Sequence, residues 1–284
     1  MLFPPLLLLN FFVVLVMLSI GLRVTAREML DVLRNRTLLA RALVANCALI
    51  PGLGLLLVNI LPLTPEAGIG IMLLATIPGT PIALQFTRKA KTRLALAAVM
   101  TFVLSVVSIV VTPLAVEVMP RIAERSERPI ANLVVSILLY IGAPLCAGLW
   151  VGQRVPRIAL RLVLPLDILA TFVFAFLMWE TRLVRREALA AIAGRETILA
   201  ICLLLVLSML IGWLIGGPDL ESRRVLATAT GMRSVVVVLY VARYCFPGTN
   251  VYMVPLVYLS LMVPTNLLFY LAYAGWRRLR PVPT

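Results

Sequence analysis

Few residues in this chain can do chemistry, and several sit where an ionisable group is expensive. Arg233 stands in the segment LATATGMRSVVVVLY, with Thr228, Thr230 and Ser234 beside it and Gly231-Met232 just before it. Asp167 falls inside a different apolar stretch, and Arg243 near the far end of the stretch that holds Arg233. Arg41, Glu117 and Glu180 lie at the edges of apolar runs, where long side chains reach water. A charged group at the centre of a bilayer costs a few kcal/mol, so Arg233 is the sharpest candidate for function. The blander reading is an arginine that faces an aqueous crevice. The chain contains no histidine, which removes the commonest metal ligand and general base. Its four cysteines, Cys47, Cys146, Cys202 and Cys245, are far apart and form no CxxC pair. They are read as inert, with neither a zinc site nor a disulfide framework. With no paired carboxylates and no clustered nucleophile and base, an enzyme is not expected, nor a metal or cofactor.

The elements that would position these groups follow from composition. Of 284 residues, 62% are apolar and 13% charged, and mean hydropathy is +1.06. An ordinary soluble domain is about half apolar and about a quarter charged. One compact core cannot hide so much apolar surface from water, whereas a bilayer can. A hydrocarbon core needs about 20 mostly apolar residues per helix. That length places nine transmembrane helices at 3–22, 38–62, 67–87, 94–119, 130–152, 160–179, 198–217, 225–246 and 251–275, within one transmembrane domain covering 1–284. The first run lacks a basic leader and an A-x-A site, so it reads as a retained helix rather than a signal peptide.

Net charge is +14, but the bases form short runs between apolar blocks without aromatic interleaving. That is a topology signal, not a nucleic-acid footprint. One alternate set of loops carries 16 Lys and Arg, the other 7. The rule that positive loops stay inside then puts the N-terminus outside and the C-terminus in the cytoplasm of a plasma (bacterial inner) membrane. The outer loop 180–197 carries four arginines against this rule and reads as a short amphipathic surface helix.

Two spans look broken at mid-depth. Pro78 and Pro81 flank Gly79 and Thr80 in the third, and Gly231 interrupts the eighth. Irregular backbone inside a membrane is tolerated only where protein buries it or it lines a cavity. The breaks fall in the second members of two three-helix blocks, spans two to four and seven to nine. Matching interruptions in two halves point to a transporter binding site in an inverted repeat. Hydroxyls and prolines also recur in the third members: Ser105, Ser108, Thr112 and Pro113 against Ser260, Pro264 and Thr265. Plain helix packing by small residues is the competing explanation for those hydroxyls. No Asp or Glu lies in spans two, three, seven, eight or nine, so the partner of Arg233 is a carbonyl end, an anionic substrate or water.

With these motifs in order, the chain resembles the bile acid:sodium symporter family. The first span ends MLSIGL, like that family's MxxMGL. NCALIP sets Asn46 five residues before Pro51, where the family has Gln, and GLG follows. Pro78-Gly79 opens the family's PGGTxSN motif, and Thr112-Pro113 matches its TP pair 34 residues on. Ala229 to Ser234 matches ExGMQN. The resemblance implies an all-α multi-pass fold with two crossed discontinuous helices, a core of spans two to four and seven to nine, and a panel of spans one, five and six. It also implies sodium-coupled transport of an organic anion. The departures fall on the residues that would bind sodium: Ala83 and Leu84 replace Ser and Asn, Ala97 replaces a hydroxyl whose partner survives as Thr101, Ala229 replaces Glu, and Arg233 replaces Gln. The expectation is therefore a transporter with degenerate sodium sites at Asn46, Ala83, Leu84, Ala97, Thr101, Ala229 and Arg233. Its cargo is expected near Pro78, Gly79, Thr80, Thr101, Ser105, Thr228, Thr230, Gly231, Met232, Arg233 and Ser234. A channel-like carrier and a non-transporting membrane sensor of the same fold are the alternatives, and oligomeric state is left open.

Overall fold

The structure, a computed structural model, describes residues 5–25, 30, 34–78, 102–107, 109–111, 114, 130–184 and 194–279. These are helical throughout, with no strand among them. Helix α1 covers Pro5–Arg23; α2, Arg36–Val44; α3, Ile50–Ile60; and α4, Pro65–Thr76. Helix α5 is Phe102–Val111; α6, Ile130–Ile137; α7, Ala143–Arg154; and α8, Pro156–Val184. Helices α9 (Arg195–Ile215), α10 (Leu220–Gly231), α11 (Val235–Cys245) and α12 (Met253–Leu279) complete the chain.

Among the described residues, six helical stretches are long and apolar enough to cross a membrane: Arg36–Ile60, Val134–Arg154, Pro156–Phe176, Arg195–Ile215, Ser222–Cys245 and Met253–Tyr273. Three shorter apolar helices, Leu7–Arg23, Pro65–Thr76 and Phe102–Val111, fall in the other expected spans. Helix ends and apolar ends do not coincide. Helix α8 runs to Val184, past the expected end at 179, and α9 starts at Arg195, so both enter the expected 180–197 loop. Glu and Arg are good helix formers, so the backbone continues where hydropathy has stopped. The surface helix expected between them lies outside the described residues. Helix α12 likewise continues to Leu279, past the expected 275.

Two π turns interrupt otherwise straight spans, at Ala45–Leu49 between α2 and α3 and at Leu138–Gly142 between α6 and α7. Each closes one residue short of a proline, Pro51 and Pro144. A proline ring presses on the carbonyl four residues back and offers no N–H, and a widened turn relieves that conflict. Accordingly the Ile50 N–H reaches the Ala45 carbonyl and the Ala143 N–H reaches Leu138.

Helix α1 packs along α7 and α8, α9 along α10, and α3 against α4. At the first of these contacts two glycines meet. A Cβ on Gly21 would stand 2.9 Å from the Gly148 Cα and 2.8 Å from the Leu149 nitrogen, so only glycine lets the backbones approach this closely. Helices α4 and α11 are the most enclosed elements: Ala67 to Thr76 and Val235 to Ala242 are all buried. Helices apolar all round belong inside, and these two carry the breaks. Helix α8 presents its apolar side chains outward, with Leu160 75% and Phe172 70% exposed, as a lipid-facing surface requires.

Candidate functional site

The first break forms because helix α4 runs out of donors. Thr64 opens it by accepting the Ala67 N–H at 3.3 Å, and Pro65 follows at the first position, where a missing N–H does no harm. At the other end the Ile77 N–H still reaches Leu73, at 3.0 Å. The next carbonyl, Leu74, would need the N–H of residue 78, and Pro78 has none. Ile77 turns extended (φ −93°, ψ 103°) and the helix stops in the buried interior.

The second break frees the carbonyl of Gly231 among others. Helix α10 ends when the Met232 N–H bonds Thr228 at 2.9 Å and Met232 turns extended (φ −97°, ψ 97°). The Val235 N–H, which would have reached Gly231, bonds the Arg233 carbonyl instead, at 2.8 Å. A new helix, α11, then starts after Ser234, with the Val238 N–H on the Ser234 carbonyl at 2.9 Å.

Arg233 joins the two breaks. Its Nε donates to the Leu74 carbonyl at 2.7 Å, the partner that Pro78 cannot supply. Its Nη2 donates to the Ala75 carbonyl, and its Nη1 to the Asn46 side-chain oxygen at 2.6 Å. Arg233 is fully buried (0% exposed), as is Asn46. The π turn ahead of Pro51 carries Asn46, and its amide nitrogen is tied to the Ala42 carbonyl at 2.9 Å, leaving the oxygen for Arg233. A helix C-terminus carries roughly half a negative charge, so the cation lies where α4 is most negative. Of the three partners foreseen from sequence, the carbonyl end holds it, together with an amide oxygen.

The released Gly231 carbonyl is met by Tyr258 of α12, whose hydroxyl donates at 2.5 Å and whose side chain is fully buried. Nothing in the motif reading singled out Tyr258. The signal was available: a tyrosine inside an apolar span needs a partner for its hydroxyl.

The other expected residues are placed as follows. The Thr228 hydroxyl donates to the Arg224 carbonyl at 2.9 Å, and the Thr230 hydroxyl to Ser208 of α9 at 2.8 Å. The first is a bond within α10 itself and the second one between packed helices. Met232, Ser234, Pro78 and Ser105 are buried, and Ala229 lies in the last turns of α10. Gly79, Thr80, Ala83, Leu84, Ala97 and Thr101 lie outside the described residues. Asp167 finds its partners in α1: Ser19 donates to it at 2.6 Å and Arg23 pairs with it. Arg243 stacks over the Tyr252 ring, 3.5 Å from its centroid. Among the described residues no group of His, Cys, Asp and Glu is arranged to hold a metal.

Buried apolar helices, with irregular backbone at 77–78 and 232–234 bridged by Arg233, belong to an all-helical protein with several helices apolar enough to cross a membrane. The sodium bile acid symporter family model matches residues 10–213, and the chain belongs to that family. Two rice proteins are similar to it, each a "probable sodium/metabolite cotransporter BASS5, chloroplastic", from Oryza sativa subsp. indica and subsp. japonica. Each is 24% identical over 258 residues, covering 87% of this chain and 64% of the relative.

Proposed function

We propose that this protein is a secondary transporter of a small organic anion whose cycle runs without sodium, because the Arg233 guanidinium occupies the place of a coupling cation. One observation carries the reading: Arg233 takes two helix-end carbonyls and an amide oxygen, hard acceptors of the sort that small cations prefer. Family membership supports the transporter class, and the names of the rice relatives support a metabolite as cargo. In this reading nine spans form an inverted repeat. Spans two to four and seven to nine make a core that rocks against a panel of spans one, five and six.

Charge arithmetic explains the loss of sodium. Relative to the family's ExGMQN motif, Ala229 removes a carboxylate and Arg233 adds a guanidinium, so local charge rises by two. Two like charges 4 Å apart repel by about 4 kcal/mol at an effective dielectric near 20, which empties a weak sodium site. Helix ends at the breaks and an aqueous path between core and panel would hold the cargo, with Arg233 acting through the carbonyls it fixes.

Reconstituted vesicles test this. Uptake of a panel of organic anions should proceed equally under sodium and choline gradients. The double variant Ala229→Glu with Arg233→Gln should make uptake respond to sodium. Identical responses of parent and double variant to sodium would sink the surrogate role, and binding without uptake would favour a sensor.

A further inference from the structure

Arg233 uses its three side-chain nitrogens on protein oxygens, so the carboxylate of a cargo needs another cation. Arg224, on the same broken helix, is differently placed. It lies near the start of α10, two turns before the break, yet is only 9% exposed. Its guanidinium carbon is 4.7 Å from the Tyr270 ring centroid and 5.1 Å from that of Tyr273, both on α12. Trp213 of α9 stands edge-on to Tyr273, 6.1 Å away, and walls this corner. Aromatic faces stabilise a cation but leave its in-plane N–H groups unused. Among the described residues, Arg224 donates to no oxygen.

The preceding residue gives the contrast. Arg223 donates its Nε to the Gly217 carbonyl at 2.5 Å, in a turn where Gly217 takes φ +97°. An arginine serving only as a topology marker extends into water or finds a carbonyl in this way. Arg224 instead lays its guanidinium on two aromatic rings and leaves only a small edge open to water. A second unused group lies on the helix that carries the two tyrosines: Asn266, one helical turn before Tyr270 on the same face of α12, is 3% exposed. Its amide nitrogen donates to Met262 at 2.9 Å, while its Oδ1 has no partner among the described residues.

We infer that Arg224, Tyr270, Tyr273 and Asn266 form a binding station for a small organic carboxylate that carries a hydrogen-bond donor beside its charge, such as a 2-hydroxy acid with an apolar or aromatic body. The guanidinium edge takes the carboxylate in two parallel bonds, the tyrosines flank the cation, and the Asn266 oxygen accepts from the hydroxyl. Its place in a transport cycle rests on the function proposed above; the binding itself does not.

Thermal melting of the full chain in detergent tests it, with choline mandelate, choline benzoate and choline chloride at equal ionic strength. A ligand that binds the native state raises Tm by mass action. Mandelate should give a saturable rise, benzoate a smaller one and chloride none. Arg224→Gln should abolish both rises, and Asn266→Ala should erase the advantage of mandelate over benzoate. Arg224→Lys keeps the charge and the aromatic contact but lacks the planar fork, so half-saturation should move up about tenfold. It poses the same question should Arg224→Gln not fold. No rise in the parent protein, or a rise undiminished in the Arg224 variants, overturns the station. Uptake that persists while the station fails leaves the transporter standing; a mandelate rise without uptake of any anion does the reverse.

Discussion

At the first break the carbonyls of Leu74 and Ala75 are held by a cation reaching in from another helix. At the second, the carbonyl of Gly231 is held by the neutral hydroxyl of Tyr258. The backbone problem is the same in both places, a helix ending among buried residues. The difference lies in how much negative potential collects. Two carbonyls and the Asn46 oxygen converge on one guanidinium at the first break, whereas at the second the Gly231 carbonyl faces a single hydroxyl. A hydroxyl satisfies a lone acceptor, whereas three converging acceptors are matched by a cation, bound or built in. The two ends are also linked: Arg233 starts two residues beyond Gly231, so the bond from Tyr258 bears on where Arg233 leaves the backbone.

Breaking the first side should do the most damage. Arg233→Ala strands buried acceptors and should cost about 3–5 kcal/mol, the usual penalty for removing one partner of a buried charged contact. In a protein of this size that lowers Tm by on the order of 10 °C, measurable by melting in detergent. Breaking the second side should do less. Tyr258→Phe leaves the Gly231 carbonyl unpaired, about 1–3 kcal/mol, and the link through Arg233 predicts that it also weakens the hold on the first break. A double-mutant cycle between Tyr258→Phe and Asn46→Ala checks this by returning a coupling energy above about 0.5 kcal/mol for residues that share no bond.

Pro78→Ala sharpens the contrast from the other direction. It returns an N–H at residue 78, so the Leu74 carbonyl regains its own partner and Arg233→Ala should cost about 1 kcal/mol less in that background. Melting of the four proteins in that cycle measures the saving. The smallest effect belongs to the ion pair between α1 and α8. Arg23 and Asp167 are 26% and 35% exposed, so Asp167→Asn should change stability by about 1 kcal/mol or less, again read by melting.

How much the sequence disclosed follows the same division between local and distant causes. The breaks were legible because Pro78 removes a donor from its own helix and Gly231 loosens its own turn. The spacing of Asn46 to Pro51 was legible too, although the widened turn that aims the amide appeared only in three dimensions. Partners were harder. Asp167 is visible as a carboxylate inside an apolar span, but Arg23, 144 positions away, reads as one of the loop bases. Tyr258 was hidden because hydropathy scores a tyrosine as apolar and ignores its hydroxyl. Span ends shifted at Glu180 and Arg195 because the bilayer sets the apolar run, whereas backbone propensity sets the helix.

The central claim is that a guanidinium fixed by Leu74, Ala75 and Asn46 stands in for a coupling cation. Its most direct test is the Tm of the purified protein in sodium chloride against choline chloride at equal ionic strength, across a concentration series. The account predicts superimposable melts at every concentration, since Arg233 already holds the oxygens that sodium would take. A saturable rise specific to sodium would contradict it, because a working sodium site would then coexist with Arg233.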